Sequence, residues 1–152
     1  MINYFAYGHN SNTSEMTRRI PEAKLLGTGE LQGWRFTMEH YSNIIRDPSS
    51  SVKGVLWSMP EHKLGKLDWD EGYGKNYGHK NVTVMLDGKP IRAMAYVMLP
   101  DYFNDKPPSR KYIDWIAAGY RANGIPLSQL IHALEHRITH VRDAHGMNKK
   151  NP

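Results

Sequence analysis

The chain has 152 residues, a net charge of +5 and no cysteine. Its length suits one domain with a real core, and its 39% content of hydrophobic residues excludes a disordered chain. The absence of cysteine excludes a thiolate nucleophile, a disulfide framework and cysteine-ligated zinc. The sequence lacks a secretory signal and any apolar run of about 18 residues, so we expect a cytoplasmic protein. The modest charge does not establish nucleic-acid binding.

The N-terminal segment combines a strand, a loop and a helix. Aromatic and β-branched residues from Ile2 to Tyr7 predict the first strand. Asn12 and Glu15 have the spacing of a capping box, which predicts a short helix from about Thr13 to Arg19. The loop Gly8–Asn12 therefore joins a strand end to a helix start, where free backbone N–H groups can bind an anion or oxyanion. An ordinary strand–turn–helix connection shows the same pattern.

The next segment predicts two strands and a long loop. The strands run from Ala23 to Leu31 and from Trp34 to Glu39, with Gln32-Gly33 as a tight turn between them. The polar stretch from Tyr41 to Ser51 contains Pro48 and three consecutive serines, so we expect a mobile loop there.

Three more strands are expected between residues 52 and 99. They run from Val52 to Ser58, from Lys80 to Leu86 and from Ile91 to Leu99, with Asp87-Gly88 as a hairpin turn. A glycine-rich loop from Tyr73 to Gly78 precedes the second of them.

Two helices are expected after a linker from Pro100 to Pro108. The first ends at Asn123-Gly124, and Pro126 opens the second. The second helix has a continuous apolar stripe of Leu127, Leu130, Ile131, Leu134, Ile138 and Val141. We expect a single domain over residues 1–142, followed by a frayed tail over residues 143–152.

Three histidines of the last helix have the spacing of metal ligands. His132, His136 and His140 recur every four residues. At 100° per residue they lie nearly opposite the apolar stripe, so we expect surface histidines and no metal site.

The most informative stretch is the end of a helix predicted from Pro60 to Glu71, which Gly72 stops. Its last turn holds Asp68, Asp70 and Glu71, although a helix C-terminus disfavours each carboxylate by roughly 0.3–1 kcal/mol. A local rule broken without structural gain indicates function. The same field and neighbours raise the pKa of a carboxyl group, which suits a general base near neutral pH. The alternative is a solvated acidic turn.

Four stretches of the chain match motifs of one known family. They are Tyr4-Phe5-Ala6-Tyr7-Gly8-His9-Asn10, Gly54-Val55-Leu56-Trp57-Ser58-Met59, Leu67-Asp68-Trp69-Asp70-Glu71-Gly72, and Pro108-Ser109-Arg110-Lys111-Tyr112 with Ala118 to Leu127. These four stretches occur in the same order as the motifs of the γ-glutamylcyclotransferases, which the chain resembles over roughly residues 4 to 134.

The resemblance implies an α+β fold, in which a small mixed β-sheet closes into a barrel-like shape flanked by helices. It implies an enzyme that cyclises an N-terminal γ-glutamyl group and releases 5-oxoproline and a free amine or amino acid. The substrate's own α-amine is the nucleophile, and Glu71 is the general acid/base. No metal or cofactor is required, and the partner is a small γ-glutamyl molecule rather than a membrane or a nucleic acid.

The resemblance also implies the substrate-binding residues. They are Tyr7, Gly8, His9, Asn10, Ser11, Tyr77, Tyr96 and Tyr112. His9 stands where the family usually has serine, and it is either an exposed loop residue or a sign of altered specificity. Two alternatives stay open: a non-catalytic module that binds a γ-glutamyl metabolite, and the same fold acting on a γ-glutamyl group of a larger partner.

Overall fold

Residues 1–137, the part of the chain that the computed structural model describes, form five strands that close into a barrel. The strands are β1 (Ile2–Ala6), β2 (Lys24–Met38), β3 (Ser42–Met59), β4 (Tyr77–Leu86) and β5 (Lys89–Met98). Their order is β1-β3-β2-β4-β5, and β5 returns to β1 through a parallel pairing, whereas the other neighbours are antiparallel. Closure gives every strand a neighbour on both sides. This confirms the α+β fold with a small mixed sheet closed into a barrel.

Four α-helices and three short 3-10 turns lie outside the barrel in residues 1–137. The helices are α1 (Thr13–Arg19), α2 (Leu64–Glu71), α3 (Arg110–Ala122) and α4 (Leu127–Glu135), and the 3-10 turns are His9–Ser11, Glu61–Lys63 and Pro100–Tyr102. The first part of the helix predicted from Pro60 is thus a 3-10 turn.

The helix ends follow local sequence signals. Asn12 accepts a hydrogen bond from the Glu15 amide and caps α1, as its capping-box spacing predicted. Ser109 accepts one from the Tyr112 amide and caps α3. Helix α2 ends at Gly72, whose φ of 66° lies in the left-handed region that favours glycine.

The predicted tight turn in the middle of β2 is wrong, because β2 continues through it as a bulge. The ladder between β2 and β3 passes from the Gln32–Ser51 pair to the Trp34–Arg46 pair. Four residues of β3 therefore lie opposite the single residue Gly33. The local signal marked a real irregularity, but pairing along the whole hairpin keeps the strand continuous.

The mobile loop predicted from Tyr41 to Ser51 is also wrong, since most of it belongs to β3. The proline and serines that predicted a loop lie in the bulge. Proline has no backbone N–H, so Pro48 leaves no donor unpaired there. Asp47 accepts hydrogen bonds from the hydroxyl groups of Ser49 and Ser50 there. Polar residues that satisfy one another within a bulge do not prevent the flanking residues from pairing as a strand.

The loop after β1 is tied to the helices and to the barrel at several points. The Trp57 indole N–H of β3 donates to the Asn10 carbonyl at 3.0 Å. The Tyr120 hydroxyl of α3 donates to the Tyr7 carbonyl at 2.6 Å. The Asn123 side chain donates to the Ser11 carbonyl at 3.1 Å. A loop with its carbonyl groups anchored in this way has a defined conformation.

Helix α4 matches its predicted apolar stripe in part. Leu130 is buried and Leu127 and Leu134 are half-buried, but Ile131 is half exposed. Ile131 follows Leu130 by one position, which turns its side chain about 100° away from the barrel. Ile138, Val141, His140 and the predicted tail over residues 143–152 lie outside the described residues.

His132 and His136 are exposed, with ring centroids 4.4 Å apart. Within residues 1–137, no group of three or more His, Cys, Asp or Glu side chains comes together as a metal site. No helix in that part of the chain is long and apolar enough to cross a membrane.

The close packing of α3 on the 3-10 turn His9–Ser11 predicts opposite effects of two glycine substitutions. A Cβ atom at Gly119 would lie 2.7 Å from the backbone of Ser11 and Asn12, whereas one at Gly65 in α2 would meet nothing within 4 Å. We expect Gly119→Ala to lower the free energy of unfolding by about 1–3 kcal/mol. Gly65→Ala should raise it by about 0.5–1 kcal/mol. Urea denaturation measures both, and equal stability of Gly119→Ala and wild type would contradict this packing.

Candidate active site

Glu71 is the last residue of α2 and points toward the loop after β1. Its Oε1 atom accepts a hydrogen bond from Asn10 Nδ2 at 3.0 Å and lies 3.6 Å from Arg19 Nη1. The Glu71 side chain is only 19% exposed. The acidic turn is therefore not simply solvated, because its last carboxyl group is enclosed by protein.

Burial raises the pKa of the Glu71 carboxyl group to about 7, against an opposing effect of the Arg19 guanidinium. The nearby Asp70 carboxylate raises this pKa further, by a smaller amount. Burial, and not the helix end or the acidic neighbours expected from the sequence, is the largest cause of the rise. A carboxyl group with this pKa can both accept and return a proton near neutral pH.

A small cavity of about 30 Å³ lies beside Glu71. Its lining residues in the described part of the chain are Tyr4, Tyr7, Gly8, His9, Asn10, Ser42, Glu71, Tyr77, Tyr96 and Tyr112. All the predicted site residues except Ser11 line it. The amide and hydroxyl groups of Ser11 both donate to the Gly8 carbonyl, so Ser11 closes the 3-10 turn instead.

Two lining residues, Tyr4 and Ser42, are not among the site residues predicted from the sequence. Tyr4 lies in the same aromatic motif as Tyr7, and its hydroxyl oxygen accepts a hydrogen bond from Asn10 Nδ2. Ser42 fell within the predicted mobile loop, so only the β2–β3 pairing brings it to the cavity. The motif was an available signal for Tyr4, whereas no local signal pointed to Ser42.

Three cavity tyrosines donate their hydroxyl protons to fixed acceptors. Tyr7 donates to the Tyr96 carbonyl at 2.5 Å, and Tyr77 donates to the Ser42 carbonyl at 2.7 Å. Tyr96 donates to Asp68 Oδ1, which also lies 2.7 Å from His79 Nε2. Burial raises the pKa of all three phenols, so they stay neutral at physiological pH. Their hydroxyl groups retain acceptor capacity but no free proton.

The fourth predicted tyrosine, Tyr112, contacts Ser42 twice. Its hydroxyl accepts from the Ser42 amide at 3.0 Å and lies 2.9 Å from the Ser42 Oγ atom. Burial raises the pKa of Tyr112 to about 12. Tyr112, His9 and Glu71 are the only partly buried residues of the cavity wall in the described chain, so they mark the side that faces solvent.

The backbone at the start of the 3-10 turn keeps free donors. Within residues 1–137, the backbone N–H groups of His9 and Asn10 donate to no protein acceptor, whereas those of Ser11 and Asn12 donate to the Gly8 and His9 carbonyls. Consecutive free N–H groups beside a cavity are suited to an oxyanion or a carboxylate.

His9 is packed into the wall and is not a freely exposed loop residue. Its Nε2 atom lies 3.1 Å from Glu15 Oε2, and its ring centroid is 4.7 Å from that of Trp115 and 5.9 Å from that of Tyr112. Burial lowers the pKa of the His9 imidazole, against the effect of its hydrogen bond with Glu15. A largely neutral aromatic ring therefore stands where the resemblance implies a serine hydroxyl.

The family model described as "Gamma-glutamyl cyclotransferase, AIG2-like" matches residues 4–117. The chain belongs to this family. The match covers β1 through most of α3, and so includes every residue that lines the cavity.

Solved structures agree with the family. One described as "Gamma-glutamyl cyclotransferase" is 30% identical, with a TM-score of 0.75, covering 84% of this chain and 82% of that chain. The uncharacterized protein loc79017 from Homo sapiens is similar at 30% identity and a TM-score of 0.74, with the same coverage. YkqA from Bacillus subtilis is 20% identical, with a TM-score of 0.67, and the match covers 80% of this chain and 48% of YkqA. At this identity the match shows a shared fold only. No curated protein sequence matches the chain.

A larger groove of about 630 Å³ lies between α4 and the β2–β3 hairpin. Its described lining includes Arg35, Lys53 and His132 but no aspartate or glutamate. The described wall of this groove therefore offers no carboxyl group that could accept and return a proton. The smaller cavity beside Glu71 is the candidate active site.

The raised pKa of Glu71 predicts a pH-dependent gain in stability for Glu71→Gln. The Glu71 carboxyl group binds its proton more tightly in the folded protein than in the unfolded chain. Its contribution to the free energy of unfolding is therefore complete below pH 4.5 and is lost as the pH rises through about 7. Glutamine mimics the protonated form at every pH. We expect equal stability at pH 4 and a more stable variant at pH 8, by up to about 3 kcal/mol.

Urea denaturation at pH 4, 6 and 8 measures this difference. The matched control is Glu61→Gln, whose exposed side chain should change stability by less than about 0.5 kcal/mol at each pH. A constant difference between Glu71→Gln and wild type across the three pH values would show that the Glu71 pKa is not raised.

Proposed function

We propose that the protein is a γ-glutamylcyclotransferase, which converts an N-terminal γ-glutamyl group to 5-oxoproline and releases a free amine or amino acid. The observation that supports this most directly is the enclosed Glu71 carboxyl group, with a pKa of about 7, beside a tyrosine-lined cavity. Membership of the family supports the same class of reaction.

The reaction needs proton transfer but no enzyme nucleophile. The substrate's α-nitrogen bonds to its own γ-carbonyl carbon, and the bond from that carbon to the leaving nitrogen breaks. The α-ammonium group loses two protons as it becomes a lactam nitrogen, and the released amine gains two as it leaves as an ammonium ion. Glu71, which can accept and return a proton near neutral pH, is the proposed general base and acid.

The transition state also needs an oxyanion site. The free backbone N–H groups of His9 and Asn10 are the proposed donors, either to the developing oxyanion or to the α-carboxylate of the substrate. The tyrosine hydroxyl groups that have already donated their protons would accept from the α-ammonium group. In this arrangement donors and acceptors lie at different parts of one cavity wall.

The cavity walls are proposed to fold the γ-glutamyl chain into its reactive shape. An intramolecular attack gains most of its rate from holding the amine close to the carbonyl carbon. The present volume of about 30 Å³ holds only one or two water molecules. Substrate binding therefore widens the cavity, and the partly buried His9 and Tyr112 rings on its solvent side are the groups proposed to move.

Release of 5-oxoproline from a panel of substrates tests the proposal. The panel contains a γ-glutamyl dipeptide, an ε-(γ-glutamyl)-lysine-type amine and glutathione. We expect wild type to cleave at least one of them, and Glu71→Gln to bind that substrate with turnover reduced by a factor of about 100 or more. Glu61→Gln, which changes an exposed glutamate of the 3-10 turn before α2, should turn over like wild type.

Two outcomes would contradict this reading. Near-wild-type turnover by Glu71→Gln would remove Glu71 from the mechanism. If folded wild-type protein released 5-oxoproline from none of the three, the proposed reaction would be wrong for these substrate classes.

Asn10→Ala tests the donor that is bonded to the proposed base. Its side chain holds both Glu71 and the Tyr4 hydroxyl, so its loss should free the Glu71 carboxyl group to take other conformations. We expect turnover of the cleaved substrate to fall about 10-fold or more, with the fold retained by circular dichroism. Unchanged kinetics would show that this hydrogen bond does not position Glu71.

A further inference from the structure

Arg19, the last residue of α1, is enclosed next to the proposed base. Its side chain is only 17% exposed, whereas that of its neighbour Arg18 is 66% exposed and pairs with Glu15 on the same helix. An arginine in the last turn of a helix is favoured by the helix dipole whichever way it points. That preference does not explain an arginine that turns inward to a buried carboxyl group.

Arg19 contacts both members of the pair that Asn10 and Glu71 form. Its Nη1 atom donates to Asn10 Oδ1 at 3.2 Å and lies 3.6 Å from Glu71 Oε1. A guanidinium group has donors only, so it selects the Asn10 orientation in which the amide oxygen faces the arginine. The Asn10 Nδ2 atom is then directed to Glu71 Oε1 and to the Tyr4 hydroxyl.

We propose that Arg19 is a positioning residue for the proposed base, which orients the Asn10 carboxamide and supplies the positive charge that balances the Glu71 carboxylate. It acts on the reaction through these two residues and not by contact with the substrate. The inference about catalysis rests on the proposed function, whereas the effect of Arg19 on Glu71 can be measured without a substrate.

The other groups around Glu71 do not replace this charge. Asp70 raises the Glu71 pKa, and Asp68 is hydrogen-bonded to Tyr96 and His79. The remaining titratable groups that line the cavity are the His9 imidazole, whose pKa is lowered by burial, and the neutral phenols Tyr4, Tyr7, Tyr77, Tyr96 and Tyr112. Arg19 is the cation that opposes the effect of burial on Glu71.

Loss of this cation should leave Glu71 protonated at neutral pH. An opposite charge within about 4–6 Å lowers the pKa of a carboxyl group by roughly one to three pH units. In Arg19→Met we therefore expect the Glu71 titration to move upward by at least about one pH unit. With a wild-type pKa of about 7, the ionised fraction at pH 7 then falls about fivefold, and the loss disappears above about pH 9.

The test follows the Glu71 carboxyl carbon by NMR in protein labelled with ¹³C-glutamate, the signal being assigned by its absence in Glu71→Gln. Wild type, Arg19→Met and Arg19→Lys are titrated, and kcat/KM is measured against pH for the cleaved substrate. Arg19→Lys keeps the charge, so its Glu71 titration should stay near that of wild type. Arg35→Met, which removes an arginine from a carboxylate pair elsewhere on the barrel, should shift neither measurement.

Each part of the proposal about Arg19 can be contradicted by a separate result. An unshifted Glu71 titration in folded Arg19→Met would overturn the charge role of Arg19. A shifted titration, with a uniform loss of kcat/KM at all pH values, would overturn its role in the reaction. If wild type cleaves no γ-glutamyl substrate, the proposed function fails while the titration still decides whether Arg19 governs Glu71. If Arg19→Met does not fold, Arg19→Gln provides the same comparison.

Discussion

The hydrogen bond from Asn10 to Glu71 joins two parts of the chain that are 61 positions apart, and the candidate site depends on it. Neither end of the bond is free to move. Asn10 belongs to a loop whose carbonyl groups are bound by Trp57 of the barrel, by Tyr120 of α3 and by Asn123, the C-cap of α3. Glu71 is fixed at the end of α2 by the turn at Gly72. The bond therefore depends on the docking of α3 as much as on the two residues that it joins.

Burying an ionised carboxyl group costs desolvation free energy, and nearby polar groups offset part of that cost at Glu71. A fully isolated carboxylate in a protein interior would simply stay protonated. Here the Arg19 guanidinium and the Asn10 amide oppose the effect of burial, so the Glu71 pKa settles at about 7 and not higher. Both the ionised and the protonated forms are thus accessible near neutral pH. A residue that must receive a proton and return it needs this balance.

The aromatic residues around the cavity set its shape and its polarity together. The hydroxyl protons of Tyr7, Tyr77 and Tyr96 are committed to fixed acceptors, which locks the rings and leaves acceptor capacity. Free donors come instead from the backbone of the 3-10 turn. A backbone donor is independent of side-chain identity, so a histidine at position 9 preserves it. The His9 side chain instead adds an aromatic ring to the wall beside Trp115 and Tyr112.

Several structural features of this protein, and its candidate base, can be predicted from local sequence alone. The N-cap of α1, the stop of α2 at Gly72, the family motifs and the candidate role of Glu71 depend on residues within a few positions of one another. The continuity of β2 and β3 does not, because the pairing of the two strands on both sides of the bulge holds them together across Gly33 and Pro48. For the same reason, Ser42 and Arg19 could be placed at the site only by the fold. Burial, which sets most of the Glu71 pKa, arises only when distant segments pack together, so only the tertiary structure decided it.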